Sequence, residues 1–160
     1  MKLLGPALAM MVAFVAVSCT PPRTENQHFE SVAQNYIEQF LRMNPEWATS
    51  LGDHRYDHRL GDYSLEGVER DLQFNRTYLD SLAAIDVNRL STVNRIDYKI
   101  LWSNLQSMVF WLDTLREYEW NPLVYNMGGA IYALIARDFA PLKDRLLDVK
   151  ERLNAIPSVI

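Results

Sequence analysis

Between Asn44 and Tyr63 the chain gathers Glu46, Asp53, His54, Asp57 and His58. Carboxylates and imidazoles are transition-metal ligands. His54 and His58 stand four apart, the spacing that sets two ligands on one helix face. The pattern fails at its next requirement. Arg55 stands where a helical zinc motif carries its glutamate, Gly52 interrupts the helix beforehand, and Arg55 and Arg59 would set positive charge beside a cation. The stretch therefore reads as a salt-bridged, hydrogen-bonded joint rather than a metal centre. No serine lies in a Gly-x-Ser-x-Gly elbow, which removes the usual nucleophile. Met127-Gly128-Gly129 lacks the residues of a phosphate-binding loop, and its two glycines instead suit a close backbone approach. The third histidine, His28, falls at the solvent end of a helical stretch.

These residues need helices to position them. Phe29, Val32, Ala33, Tyr36, Ile37, Phe40 and Leu41 recur at three- and four-residue spacing and predict an amphipathic helix from His28. Asn44-Pro45 ends it, because the residue before proline avoids the α region. Pro45 suits the first turn of a short helix through Trp47, Ala48 and Leu51, which Gly52 closes. Ser64 is a plausible N-cap for a helix carrying Leu65, Val68, Leu72, Tyr78, Leu79 and Leu82 to about Ala84. Ser91 or Thr92 opens the longest helix, expected to reach about Tyr118 and so span roughly 40 Å. Glu117 to Tyr125 is a second aromatic break, where Asn121-Pro122 repeats the chemistry of Asn44-Pro45. A last helix restarts between Asp138 and Pro141. Its leucines predict the buried side, while Lys143, Asp144, Arg145, Asp148, Lys150, Glu151 and Arg152 predict a solvated face.

The chain has 160 residues, 49% of them hydrophobic and 22% charged, which suits one helical globular unit and excludes a disordered one. The net charge of −4, with no basic run, gives nucleic-acid binding no electrostatic support. One cysteine permits neither an internal disulfide nor a cysteine-based zinc site. Lys2 precedes an uncharged stretch, Leu3 to Val17, that is short for a membrane span. It ends in Ala16-Val17-Ser18-Cys19 and resembles a bacterial lipoprotein signal, in which Cys19 becomes the lipidated first residue. Thr20 after the cysteine fits an outer-membrane destination in that resemblance. Residues 1–18 read as the signal peptide, 19–27 as a polar tether and 28–160 as the helical part.

A more specific resemblance lies in Asn44-Pro45-Glu46-Trp47-Ala48-Thr49-Ser50-Leu51-Gly52, followed by Tyr56-Asp57 and Arg59-Leu60. Arg95-Ile96-Asp97-Tyr98 and Glu117 to Asn126 follow in order. Asp138-Phe139-Ala140-Pro141-Leu142 and Arg152 to Pro157 complete the set. From about Phe29 onward the chain resembles the N-terminal portion of the domain of unknown function 885 family. The resemblance implies a mostly helical, secreted or lipid-anchored bacterial protein several times longer than this chain. It also implies a likeness to zinc metallopeptidases, whose His-Glu and Pro-Gly-His-His motif does not occur in residues 1–160. No zinc or catalytic residue is therefore transferred. Zinc is expected only in the full-length family.

Together these readings give an all-α, bundle-like array with one long central helix, expected to be part of a larger helical domain. The function expected is that of an N-terminal piece of a lipid-anchored, zinc-dependent peptidase or hydrolase, acting on peptides at the outer membrane and facing the periplasm. The alternative is a stand-alone helical envelope lipoprotein that binds or scaffolds. Tyr56 and Asp57 at the first break, with Asn121 and Tyr125 at the second, are the candidate cleft residues.

Overall fold

The computed structural model describes residues 24–160. The signal segment, Cys19 and the tether as far as residue 23 lie outside the described residues. Those described form six α-helices joined by short turns, with no strand among them. Helix α1 spans Glu25–Met43, three residues earlier than the apolar pattern predicts. The reason is a reciprocal cap: the Thr24 hydroxyl accepts from the Gln27 amide, and the Gln27 side chain accepts from the Thr24 amide. Helix α2 spans Pro45–Leu51 and ends on Gly52, whose φ of 89° is left-handed backbone that glycine adopts at little cost.

Helix α3 spans Leu65–Ala83, with the Ser64 hydroxyl accepting from the Gly67 amide. Gly67 lies so close to the preceding loop that a Cβ there would meet the Asp62 carbonyl oxygen at 2.2 Å. Helix α4 spans Thr92–Val109 and is capped by Ser91. It does not run on to Tyr118 as an α-helix. Phe110–Leu115 widens to a π-helical segment, and Arg116 stops it in a left-handed conformation at φ 49°. The second break is two tight turns, Glu117–Glu119 and Pro122–Tyr125. Helices α5, Gly128–Ala136, and α6, Leu142–Val159, finish the array. The diglycine begins α5: a Cβ on Gly128 would meet the Asn126 side-chain oxygen at 3.0 Å, whereas nothing lies within 4 Å of a Cβ built on Gly129.

Helices α1, α3 and α4 enclose the apolar core. Phe29, Tyr78, Leu82, Ile85, Leu90 and Leu105 are buried there, ringed by Tyr36, Phe74, Tyr98 and Trp102. Leu82 and Leu105 are wholly removed from water, and each contributes about 1.5–3 kcal/mol. Tyr36 stacks on Phe74 at 5.5 Å and meets the edge of Tyr78 at 5.3 Å. The Asn26 side-chain oxygen accepts from the Ser91 amide and the Asn94 side chain, fixing α1 to the start of α4.

Helix α6 corrects the sequence expectation. Arg145 and Arg152, assigned to a solvated face, are 6% and 0% exposed, whereas Leu142, Leu146, Leu147 and Leu153 are about half exposed or more. The cause lies in the acceptors of the neighbouring helices, and for Arg145 in the end of α5, whose last carbonyls have no partner within their own helix. Arg145 donates to the carbonyls of Leu134, Ile135, Arg137 and Ala140, closing the end of α5. Arg152 reaches the Ala130 carbonyl at 2.7 Å and the Thr49 hydroxyl at 2.6 Å, joining α6 to α5 and α2. A planar guanidinium with five donors suits such a cluster of acceptors.

Candidate functional site

The first break is built inward from Arg152. The Thr49 hydroxyl accepts from Arg152 and donates to Asp57 Oδ1 at 2.6 Å; the second Asp57 oxygen meets His54 Nδ1 at 2.8 Å. The His54 ring in turn stacks on Phe139 at 3.7 Å and 11°. Asp57 is 3% exposed and Thr49 fully buried, so this chain of polar groups is a lock between α2, α6 and the loop. Burial pulls the Arg152 pKa down, and the carboxylates of Glu46, Asp57 and Asp148 pull it back up. Its Nε finds no acceptor among the described residues.

Open space lies on the other side of that loop. A cavity of about 460 Å³ is walled by the end of α1 (Met43, Asn44), the loop Gly61, Asp62 and Tyr63, and the first turns of α3 (Val68, Asp71). Met108, Trp111 and Leu112, from α4 and the π segment, form the next wall, and Glu117, Tyr118, Val124 and Tyr125 of the second break close it. The two Asn-Pro breaks thus meet around one cavity. Each wall is fixed locally. Glu46 accepts from the Gly61 amide at 2.8 Å, and the Tyr63 amide donates to the Val159 carbonyl at 2.7 Å. On the far side the Tyr125 hydroxyl donates to the Tyr118 carbonyl at 2.9 Å.

Two groups in this wall are shifted. Burial, reinforced by Glu46, pushes the Tyr63 phenol up to about 12, so it stays protonated. Burial also raises the Asp71 carboxyl to about 6, against an opposing pull from Arg70. Asp71 can therefore exchange a proton near neutral pH. No nucleophile aligned by a base accompanies it in the wall, so the arrangement supports binding and proton exchange rather than covalent chemistry.

Of the four residues predicted to face a cleft, Tyr125 lines the cavity. Asn121 stands behind it: its side-chain nitrogen donates to Glu117, and its oxygen accepts from the Leu123 amide. Tyr56 turns toward α1, donating to Glu38 at 3.3 Å beside Arg55 and Arg59. Asp57 belongs to the buried lock. Asp71, Tyr63, Trp111 and Tyr118 are additions that sequence reasoning passed over. Asp71 had a signal: it sits three residues after Val68, within the apolar stripe of α3, where a carboxylate is out of place.

The all-helical architecture and this chain's motifs have a counterpart among known families. Residues 45–160 match the family described as a bacterial protein of unknown function, DUF885, and the chain belongs to that family. It is also similar to a solved structure from Shewanella oneidensis, described as a candidate lipoprotein of unknown function, with 28% identity and a TM-score of 0.76. The likeness covers 82% of this chain and 24% of that one, so this chain spans about a quarter of that relative's length. No protein of curated function matches it.

Proposed function

We propose that this chain is the N-terminal helical part of a lipid-anchored cell-envelope hydrolase of peptidase type, in which it supplies scaffold and one wall of the substrate site. The observation that carries the reading is the match to a much longer relative: the chain corresponds to 24% of a candidate lipoprotein and follows it closely over that length. The resemblance of the ordered motifs to a family with zinc-peptidase character supplies the reaction class, and the Ser18-Cys19 boundary supplies the anchor. In this reading the lipid on Cys19 holds the protein at the outer membrane facing the periplasm, and peptides are its substrates.

Zinc is expected in the full-length family, but the residues present here do not fit it. Among the described residues no three His, Cys, Asp or Glu side chains gather as a metal requires. His54 is engaged with Asp57 and Phe139. No catalytic step is therefore routed through a metal by this chain's residues, whose work is to shape and hold the cavity.

The test begins with the reading frame downstream of codon 160. The expected result is a continuing frame that encodes a His-Glu and Pro-Gly-His-His motif. Its full-length product should cleave peptides, lose that activity to a chelator and regain it with zinc. Replacing Cys19 with serine should move the protein out of the membrane fraction. A stop codon after Ile160, together with a peptide-inert product that unfolds cooperatively, would overturn the hydrolase. It would favour a stand-alone binding or scaffolding lipoprotein, for which the cavity built wholly from described residues is the supporting feature.

A further inference from the structure

The lining of the cavity between the two breaks is one-sided in charge. Asp62, Asp71 and Glu117 face it, together with the aromatic groups of Tyr63, Trp111, Tyr118 and Tyr125, and no lysine, arginine or histidine lines it. Two of the three carboxylates are already engaged: Asp62 is paired with Arg70, and Glu117 accepts from Asn121. Asp71 makes no side-chain hydrogen bond or ion pair among the described residues, so it is the acceptor left over. The rest of the wall is apolar and polarisable, with Met43, Val68, Met108, Leu112 and Val124. The volume of about 460 Å³ suits a small organic ligand.

We infer that this cavity is a binding site for an organic monocation, an ammonium group carried on an apolar body, with Asp71 as its counter-ion and the four aromatic side chains as its walls. Aromatic faces attract cations through the ring quadrupole, and a desolvated carboxylate adds charge pairing where water is partly excluded. Anionic ligands are disfavoured by three carboxylates. A bare metal ion is disfavoured because the carboxylates do not converge on one point. The π-helical segment adds a structural reason: widening the turn after Val109 carries Trp111 and Leu112 into the wall, and such bulges recur at functional sites. The ammonium can belong to a free amine or to a lysyl side chain of a peptide. The site stands apart from the hydrolase reading, because it calls for binding without turnover.

The charge environment of Asp71 fixes the pH dependence. Asp62 and Tyr63 approach it from the loop, Arg70 from its own helix, and Glu117, Tyr118 and Tyr125 from across the cavity. Arg42 and Arg59 flank its outer side. With its carboxyl raised to about 6, Asp71 is charged at pH 7.5 and mostly protonated at pH 5, and no histidine lies in the lining. An amine probe stays cationic throughout this range.

The experiment titrates the full chain with phenethylamine, with its neutral counterpart 2-phenylethanol, and with N-acetyl-lysine methylamide. Calorimetry reports affinity, and indole fluorescence follows in parallel. At pH 7.5 at least one of the two cations is expected to bind about tenfold more tightly than the alcohol. That preference should shrink at pH 5 and disappear in Asp71→Asn. Tighter binding of phenethylamine assigns a free amine, and tighter binding of the lysyl probe assigns a peptide side chain. Equal binding of alcohol and cations, no binding of either cation, or an Asp71→Asn variant that keeps the preference would each overturn the site. The comparison of pH 7.5 with pH 5 in the unaltered chain carries the test even if the variant were misfolded.

Discussion

The two halves of this molecule are held together by opposite means. Around α1, α3 and α4 the core is apolar, centred on Phe29, Leu82 and Leu105, with Asn75 and Asn94 as its buried polar side chains. Around α2, α5 and α6 charge enters the interior: Arg145 and Arg152 are buried beside Ala48, Leu134 and Val149, and four leucines of α6 face outward. The difference shows that burial is decided by what the neighbouring surface lacks. The first three helices offer one another apolar stripes, and water is the wrong solvent for them. Helix α5 offers α6 its unpaired terminal carbonyls and α2 offers the Thr49 hydroxyl, and a guanidinium is the right partner for each.

The contrast can be broken at its centre. Arg152→Ala strips the Thr49 hydroxyl and the Ala130 carbonyl of their donor and leaves Asp57 buried without its neighbouring positive charge. A loss of about 3–5 kcal/mol is expected in urea unfolding. A loss below about 1 kcal/mol would mean that the arginine is a passenger. Leucines sharpen the same contrast. Leu82→Ala, at a position with no exposure, should cost about 2–5 kcal/mol, whereas Leu146→Ala, on the open side of α6, should stay within about 0.5 kcal/mol. Equal costs would show that α6 buries its leucines in solution. Next in size is Thr49→Val, which keeps the shape but removes the hydroxyl between Arg152 and Asp57, at about 1–3 kcal/mol.

The smallest expected effect has the opposite sign. The Asp71 carboxyl is raised to about 6 in the folded chain, from an ordinary value of 3.8. The native state then holds this proton more tightly than the unfolded state, so stability drains away as pH rises from about 4 to about 6. Asp71→Asn should therefore raise the melting temperature slightly at pH 7.5 and leave it unchanged near pH 3.5. A fall at pH 7.5 would show that the carboxylate supports the fold rather than a ligand.

Much of the scaffold was legible in the chain. Ser64 and Ser91 cap the helices expected of them, Gly52 closes α2, and Pro45 opens it. These are local signals, each satisfied within a turn of its own residue. The orientation of α6 was not legible, because its charged residues obey the same period as its leucines. Only the carbonyls of Ala130, Leu134 and Ile135, set beside it by the tertiary fold, decide between the two faces. The π segment was hidden for a similar reason: Phe110, Trp111 and Leu112 read as a continuing helix until the ladder slips by one residue. At the candidate site, helix breaks pointed to Tyr125 but also to Tyr56 and Asp57, since a break marks a joint without saying which side of it is open.

The buried arginines have a thermal consequence. Apolar attraction weakens on cooling, while the cost of stripping water from a charge diminishes on warming. The bundle of α1, α3 and α4 should therefore be the first to loosen in the cold, and the α2–α5–α6 end should keep its grip better as temperature climbs. One chain would thus pair a cold-sensitive half with a heat-tolerant half, the chain crossing from one to the other at the Asn44 turn between α1 and α2.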